Sequence, residues 1–461
     1  MIVEFNLLLV ILATVPLLFG AVQPFVFSFY VAAVFLVFLS LLWRKRIGSR
    51  ELGKGAVWVL YCFLGWSLFL IVPLPENMLE FLSPFRSGLL GKTRELLGAS
   101  AGWKSVAYVN TLSLSRWSLW LAALLIGVMV KRASLERQFL TRLVVVLLVL
   151  GSLEALYGLV QAMVPTTGVL GHTLYYQGHA RGTYINRNHF AGMIEMTWPL
   201  VLAYLLSLSP WEETRKLKVK HLINSDRFNR QLLIAIFLVV MLLALVFSRS
   251  RAGITGLALG FIAFMGAMAF SGAGLRRGFW LGTGAAVVLL LIYCGQIGFD
   301  SVIERFMKID QETGRLNLWR DAWLIVQQHP FGVGPGNYEI VEPVFQVNAQ
   351  TTRLSIHTHN DYLQLLVETG WPGFLLLTTG WLYLLVRGLV GLRRFFRHFG
   401  YSRHFFMAVG AWSGLVSMAF HSFFDFNLQI PANLFYFAML IGILTHIFPS
   451  SYTHHHHKTA T

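Results

Sequence analysis

LLIAIFLVVMLLALVFSRSRAGITGLALGFIAFMGAMAF, residues 232–270, sets the solvent in which this chain folds. An unbroken apolar run is followed by the polar hairpin Ser248-Arg249-Ser250-Arg251 and then by a second apolar run. Each run is long enough, as a helix, to cross about 30 Å of hydrocarbon. The same grammar repeats along all 461 residues, of which 56% are hydrophobic and only 13% charged, with a mean hydropathy of +0.62. No soluble domain of this size is so apolar. Candidate spans fall roughly at 5–21, 25–43, 56–73, 116–131, 141–164 and 189–208, then at 231–247, 253–270, 279–297, 372–390, 405–424 and 432–449. The expected fold class is an all-α polytopic membrane protein of about 12 transmembrane helices.

The formal charge of +16 does not point to nucleic acid, because the basic residues gather in short runs between apolar segments, where lipid head groups are the nearer partners. Arg44 to Lys54 follows the second span, Lys131 to Arg142 the fourth, Arg215 to Arg230 the sixth, Arg276-Arg277 the eighth, and Arg393 to Arg403 the tenth. Cationic loops resist translocation. Both termini are therefore expected to be cytoplasmic and the odd-numbered connections external. No cleavable leader is expected, since the first apolar run lacks a basic n-region. Cys62 and Cys294 lie in apolar runs and read as small hydrophobes, which sets aside a disulfide scaffold or thiol nucleophile. The tail run His454 to His457 reads as a basic tail or tag remnant, not a metal site.

With orientation fixed, three polar clusters far apart in sequence fall on the external side. They are Arg181-Gly182-Thr183-Tyr184-Ile185-Asn186-Arg187-Asn188-His189, the hairpin Ser248 to Arg251, and His357-Thr358-His359-Asn360-Asp361. Arginine in a short external hairpin opposes the orientation bias, and a charge near hydrocarbon costs a few kcal/mol, so an anion is the natural counterpart. Guanidinium suits phosphate oxygens, with paired donors and a charge that does not titrate away. Taken together, Arg181, Arg187, Arg249, Arg251 and Arg315 read as an anion site; any one alone could instead snorkel or pair with Glu154 or Glu195. His359 precedes an expected helix with Asn360 as cap, Asp361 in its first turn, and Gly370 and Pro372 as stop signals. A neutral imidazole there could take a proton from an incoming hydroxyl while cations stabilise the departing group. His357 could orient it or be incidental, and His189 and Asn188 read equally as helix-capping and packing residues or as catalytic ones.

Other motifs carry less. Gly332-Val333-Gly334-Pro335-Gly336 follows a helix, not a strand, and reads as a turn. Asp310-Gln311-Glu312 is the nearest approach to an Asp-x-Asp pair, so a carboxylate-held metal has no obvious ligands. Arg315 to Gln328 has Leu316, Trp319, Ala322, Trp323 and Val326 at helical spacing, an amphipathic helix suited to a membrane surface. A transporter or flippase would want charges inside the spans, where Glu154 and Glu195 are the main candidates.

The segment HTHNDYLQLLVETGWPG, residues 357–373, together with GTYINRNHFAG (182–192), SRSRAG (248–253), GRLNLWRDAW (from 314) and PFGVGPGNY (to 338), resembles the bacterial O-antigen ligase and O-antigen polymerase superfamily of membrane glycosyltransferases. In the ligase-type pattern, His, Asn and two glycines fall on His359, Asn360, Gly370 and Gly373. The first 140 residues match only as a hydrophobic pattern.

That resemblance implies a GT-C-like helical membrane fold in the bacterial inner membrane. Its N-terminal helices would span 1–140 with an external loop near 74–115, and its central helices 141–297 would carry the arginines. A large periplasmic loop at 298–371 would contain amphipathic helices, followed by C-terminal helices and tail at 372–461. The resemblance also implies metal-independent, inverting transfer of a glycan from undecaprenyl diphosphate to an acceptor hydroxyl, with no cofactor. The acceptor would be lipid A core, a growing polysaccharide or, in a protein O-oligosaccharyltransferase, a protein side chain. By matching motifs, Arg181, Arg187, Arg249, Arg251 and Arg315 would hold the diphosphate and His359 would be the base, with His357, Asn360, Asp361 and Asn186 in support.

Overall fold

The computed structural model describes residues 2–47, 56–98, 102–136, 138–172, 177–208, 226–274, 310–347 and 355–448, and among these no strand occurs. In chain order the helices are α1 (Ile2–Thr14), α2 (Pro24–Trp43), α3 (Ala56–Phe69), α4 (Glu76–Leu82), α5 (Pro84–Leu97), α6 (Asn110–Ala133), α7 (Phe139–Met163) and α8 (Arg187–Ser207). There follow α9 (Asp226–Phe247), α10 (Arg251–Ser271), α11 (Asp310–Gln328), α12 (Tyr338–Phe345), α13 (Asp361–Phe399), α14 (Arg403–His421) and α15 (Pro431–Thr445). Seven of the described helices, namely α2, α6, α7, α8, α9, α10 and α13, are long and apolar enough to cross a membrane; α1, α3 and α15 are shorter apolar helices. The expected span at 279–297 lies outside the described residues.

The helices meet at two segregated ends. At one, the basic connections touch: Arg44 pairs with Glu4 (3.0 Å), Arg132 Nε donates to Arg46 O (3.2 Å), and Arg403 bonds Thr141. At the other, Thr183 Oγ1 donates to Pro16 O (2.9 Å), Ser113 Oγ to Pro335 O (2.8 Å) and Arg116 Nη1 to Gln429 O (3.1 Å). Between the ends, α8, α10 and α14 pack closely enough that a Cβ on Gly256 would stand 2.5 Å from a Glu195 oxygen. Small residues permit such approach where helices have no water to escape. Glu195 is sealed in this seam, accepting from Ser417 Oγ (2.8 Å) and facing His421 Nδ1 (2.7 Å).

The two long connections expected to be external share an apolar layer. Ala322, Ile325 and Val326 of α11 bury with Val333, Tyr338, Val341, Leu366 and Val367, and Phe85 and Tyr108 from the first connection pack against them. The amphipathic face of α11 is thus spent on protein, with Leu316 and Trp323 left exposed. α13 does not stop at Gly370 and Pro372 as expected; it bends there. Gly370 adopts φ 64 and ψ −175, and a Cβ would lie 2.2 Å from the Phe331 carbonyl carbon. Only glycine tolerates that left-handed geometry against a neighbouring backbone, and Trp371 N donates to Pro330 O (2.9 Å) across the bend. Pro372 then opens the second segment, where its missing N–H costs nothing.

His329 pins this layer: its Nδ1 bonds Ile325 O (3.2 Å) and its Nε2 the Tyr108 hydroxyl (2.8 Å), with Arg86 over the Tyr108 ring. Burial pushes His329 down to about 4. The unfolded chain takes up a proton below its ordinary pKa near 6.5 while the folded imidazole refuses one until about 4. Stability is therefore full above that window and falls as pH drops through it, by about 1–2 kcal/mol at pH 5. Limited proteolysis of the external layer is expected to accelerate from pH 7 to pH 5, and His329→Gln to flatten that acceleration.

Candidate active site

Three helices begin at the end opposite the basic connections, and the sequence supplies each with its cap. Asn186 Oδ1 accepts from Asn188 N (2.9 Å) ahead of α8, Ser250 Oγ from Gly253 N (3.2 Å) ahead of α10, and Asn360 Oδ1 from Tyr362 N and Leu363 N (3.0 and 3.1 Å) ahead of α13. Helix N-termini expose unpaired N–H groups and partial positive charge. Arg187 and Arg251 are the first residues of α8 and α10, which lie alongside, Gly253 packed on Ala191. Two turns share a backbone recipe. In Ser248-Arg249-Ser250 and Thr358-His359-Asn360, a hydroxyl accepts from the cap N–H (3.2 Å in both), and the residue between, Arg249 or His359, adopts φ 53. Non-glycine residues in the left-handed region carry strain and cluster at functional sites.

Arg181 and Arg249 come from adjoining loops, joined by Ala180 N to Phe247 O (3.0 Å). Arg181 Nη1 donates to Ile185 O (3.3 Å), and Arg187 Nη1 to His179 Nε2 (2.8 Å). Burial lowers the pKa of both Arg181 and Arg249. Among the described residues Arg249 forms no ion pair, and its buried Nε has no hydrogen-bond partner. Neither expected carboxylate serves these arginines: Glu154 accepts from Thr183 N (2.8 Å) and lies 2.8 Å from Thr183 Oγ1, and Glu195 is engaged in the α8–α14 seam. Arg315 stands apart. It lies one turn before Trp319, whose Nε1 donates to Thr358 O (3.0 Å) beside His359, and no described contact joins it to the other four.

His359 Nδ1 stands 3.5 Å from the carboxylate of Asp425, a residue the sequence reading passed over. Asp425 is fully buried; Asn188 Nδ2 donates to its Oδ2, Phe426 N to its Oδ1 (2.8 Å), and His189 Nε2 lies 3.7 Å from Oδ1. Burial works to raise this carboxyl, but the imidazoles of His189 and His359 that face it more than offset that and hold Asp425 well below the usual carboxylate range. Phe426 meets the edges of His189 (4.6 Å) and His359 (4.8 Å), and His357 stacks on its face (4.2 Å). His357 makes no hydrogen bond to His359; its Nδ1 lies against Gln364. Asp361, buried, accepts from Ser422 Oγ (3.0 Å), Leu428 N (3.1 Å) and Gln429 Nε2 (3.4 Å), and so fixes the turn that carries Asp425. An acidic residue in a short external connection, between the spans expected at 405–424 and 432–449, was the signal available in the sequence. Arg116, near His357 and Glu368, was hidden at the start of a span. Among the described residues no group of three or more His, Cys, Asp or Glu side chains is arranged to hold a metal ion.

An imidazole backed by a carboxylate, beside helix N-termini that carry arginines, can accept a proton while binding an anion. No curated protein matches this chain. A family model described as O-antigen ligase matches residues 236–378, a stretch that holds Arg249, Arg251, Arg315 and the His357–Asp361 cluster and leaves Arg181, Arg187 and Asp425 outside. Over that segment the chain is similar to the O-antigen ligase family.

Proposed function

We propose that this protein transfers a glycan from undecaprenyl diphosphate to an acceptor hydroxyl at the periplasmic face of the bacterial inner membrane, in a GT-C-like fold with both termini cytoplasmic. The observation that carries the reading is the placement of the His359–Asp425 pair at the same end of the bundle as the arginine-bearing N-termini of α8 and α10. His359 Nε2 takes the acceptor proton as the acceptor oxygen attacks the anomeric carbon. The bond from that carbon to the diphosphate oxygen breaks on the opposite side, inverting the centre. The Asp425 carboxylate faces Nδ1, so it keeps the proton there, leaves Nε2 free as base, and then balances the imidazolium. The diphosphate leaves carrying the electron pair, and Arg181, Arg187, Arg249, Arg251 and Arg315 stabilise the charge that grows on it. Glu154 and Glu195, the within-span charges a flippase would use, are closed into packing, which gives that reading no support.

The test is purified protein in detergent or liposomes, a defined undecaprenyl diphosphate glycan, and lipid A core, a second lipid-linked glycan or a protein as competing acceptors. Transfer to one of them identifies ligase, polymerase or protein glycosylation. Movement of the donor across the bilayer without transfer would sink the enzyme reading. Arg249→Ala is expected to raise donor KM roughly 10- to 100-fold, the worth of a charge-assisted hydrogen bond or two, while the melting temperature holds. Unchanged donor dependence would remove Arg249 from the clamp.

A further inference from the structure

A second polar chain enters the site from below α13 and ends on His357. Glu368, buried, accepts from Gly336 N (2.9 Å) and from Gln364 Nε2 (2.9 Å). The backbone N–H of Thr358 only donates, and it meets the Gln364 amide oxygen (3.4 Å), which turns the amide nitrogen toward Glu368. His357 Nδ1 lies 2.9 Å from that nitrogen and 3.2 Å from the amide oxygen, which Thr358 N already occupies, so the remaining amide hydrogen meets Nδ1. Nδ1 is thereby the acceptor, and the ring carries its proton on Nε2. Burial, aided by the nearby Arg116 charge, pushes His357 down to about 3, so the ring stays neutral through any physiological pH. The imidazole is clamped as well as oriented, lying flat on Phe426 at 4.2 Å with 30° between the planes. His359 reaches the same phenyl ring edge-on, at 4.8 Å. The two imidazoles of His357-Thr358-His359 therefore border one aromatic ring with opposite equipment: His359 faces a carboxylate, and His357 is backed by an amide donor.

We propose that His357 is an acceptor-binding residue whose fixed Nε2–H donates to a ring or hydroxyl oxygen of the acceptor sugar, next to the hydroxyl presented to His359. The ligand class is a polyhydroxylated sugar, whose neighbouring oxygens let one be held while the other reacts. Gln364 and Glu368 act through His357 as positioning residues, setting which nitrogen bears the hydrogen. The inference rests on the transferase reading above.

The experiment measures donor KM, acceptor KM and the pH dependence of kcat for full-length variants in the reconstituted assay. His357→Phe keeps a ring to stack on Phe426 and removes the donor; acceptor KM is expected to rise about tenfold, with donor KM and the pH profile unchanged. Gln364→Glu leaves His357 in place but puts a carboxylate at Nδ1, drawing the proton there, and is expected to raise acceptor KM by a similar factor. His357→Gln, which restores an N–H, should recover part of the loss. An unchanged acceptor KM in either folded variant overturns the assignment, as does a raised donor KM or a shifted pH profile in His357→Phe, which would place His357 with the leaving group or with the base. Gel filtration in detergent shows which variants are folded, and Gln364→Glu carries the test if His357→Phe is not. Full transfer by His359→Ala would instead remove the base assignment, and donor movement without transfer the parent reading, outcomes separate from both.

Discussion

His359→Ala is expected to lower glycan transfer by roughly three orders of magnitude, within the range that a positioned general base contributes. Donor binding should survive, because four of the five arginines lie on α8, α10 and their preceding loops and the fifth, Arg315, on α11, all of which this substitution leaves intact. Fold should survive as well: the His359 side chain is one-third exposed and no hydrogen bond in the layer depends on it. The measurement is single-turnover transfer from a labelled lipid-linked donor, with donor affinity read separately in the absence of acceptor. Unaltered single-turnover rate would remove the base assignment, whereas lost donor affinity would mean that His359 belongs to the clamp.

Asp425→Asn is the second large effect, about a hundredfold in kcat with little change in either KM. The carboxylate does two things for His359 that an amide cannot. On the proposed mechanism it faces Nδ1 at 3.5 Å and keeps the proton there, leaving the lone pair on Nε2, and it supplies the counter-charge when that nitrogen takes a proton; a carboxylate backing an imidazole in this way is a recurrent catalytic arrangement. Since Asp425 is held well below the usual carboxylate range, it remains ionised through the working pH range. The acid limb of the rate profile then reports protonation at the imidazole and not at Asp425. In the Asn variant that limb should shift to lower pH, because the imidazolium lacks its partner. A purely structural Asp425 would instead lower the yield of folded protein and leave the profile of the remainder in place. Comparison with Asn188→Ala, which removes one bond that orients the carboxylate, separates orientation from charge.

Much of this was legible in the chain because bilayer crossing and helix capping are local physics. Apolar runs of the right length at 232–247 and 253–270 became α9 and α10, and Asn186, Ser250 and Asn360 cap the helices they precede. Among the described residues the basic connections at Arg44, Arg46, Arg132 and Arg403 meet at one end, as expected where cationic loops resist translocation, a rule that needs no tertiary information. What could not be read was mutual geometry. Asp425 meets His359 only because α14 runs antiparallel to α8 and delivers its final turn beside Asn188, a consequence of three-helix packing. Glu154 and Glu195 looked like partners for arginine by charge alone, yet Thr183 and His421 reach them first. Gly370 and Pro372 read as an ending since both residues commonly finish helices; contact with Pro330 and Phe331 turned the ending into an elbow.

Arg249 and His359 sit at φ 53, where glycine would rest without strain. A chain tuned for durability alone would drift to glycine at both places and lose its guanidinium and its imidazole together. The two turns thus act as a pair of small debts written into the backbone, legible as places where thermostabilising screens and selection for turnover should pull in opposite directions.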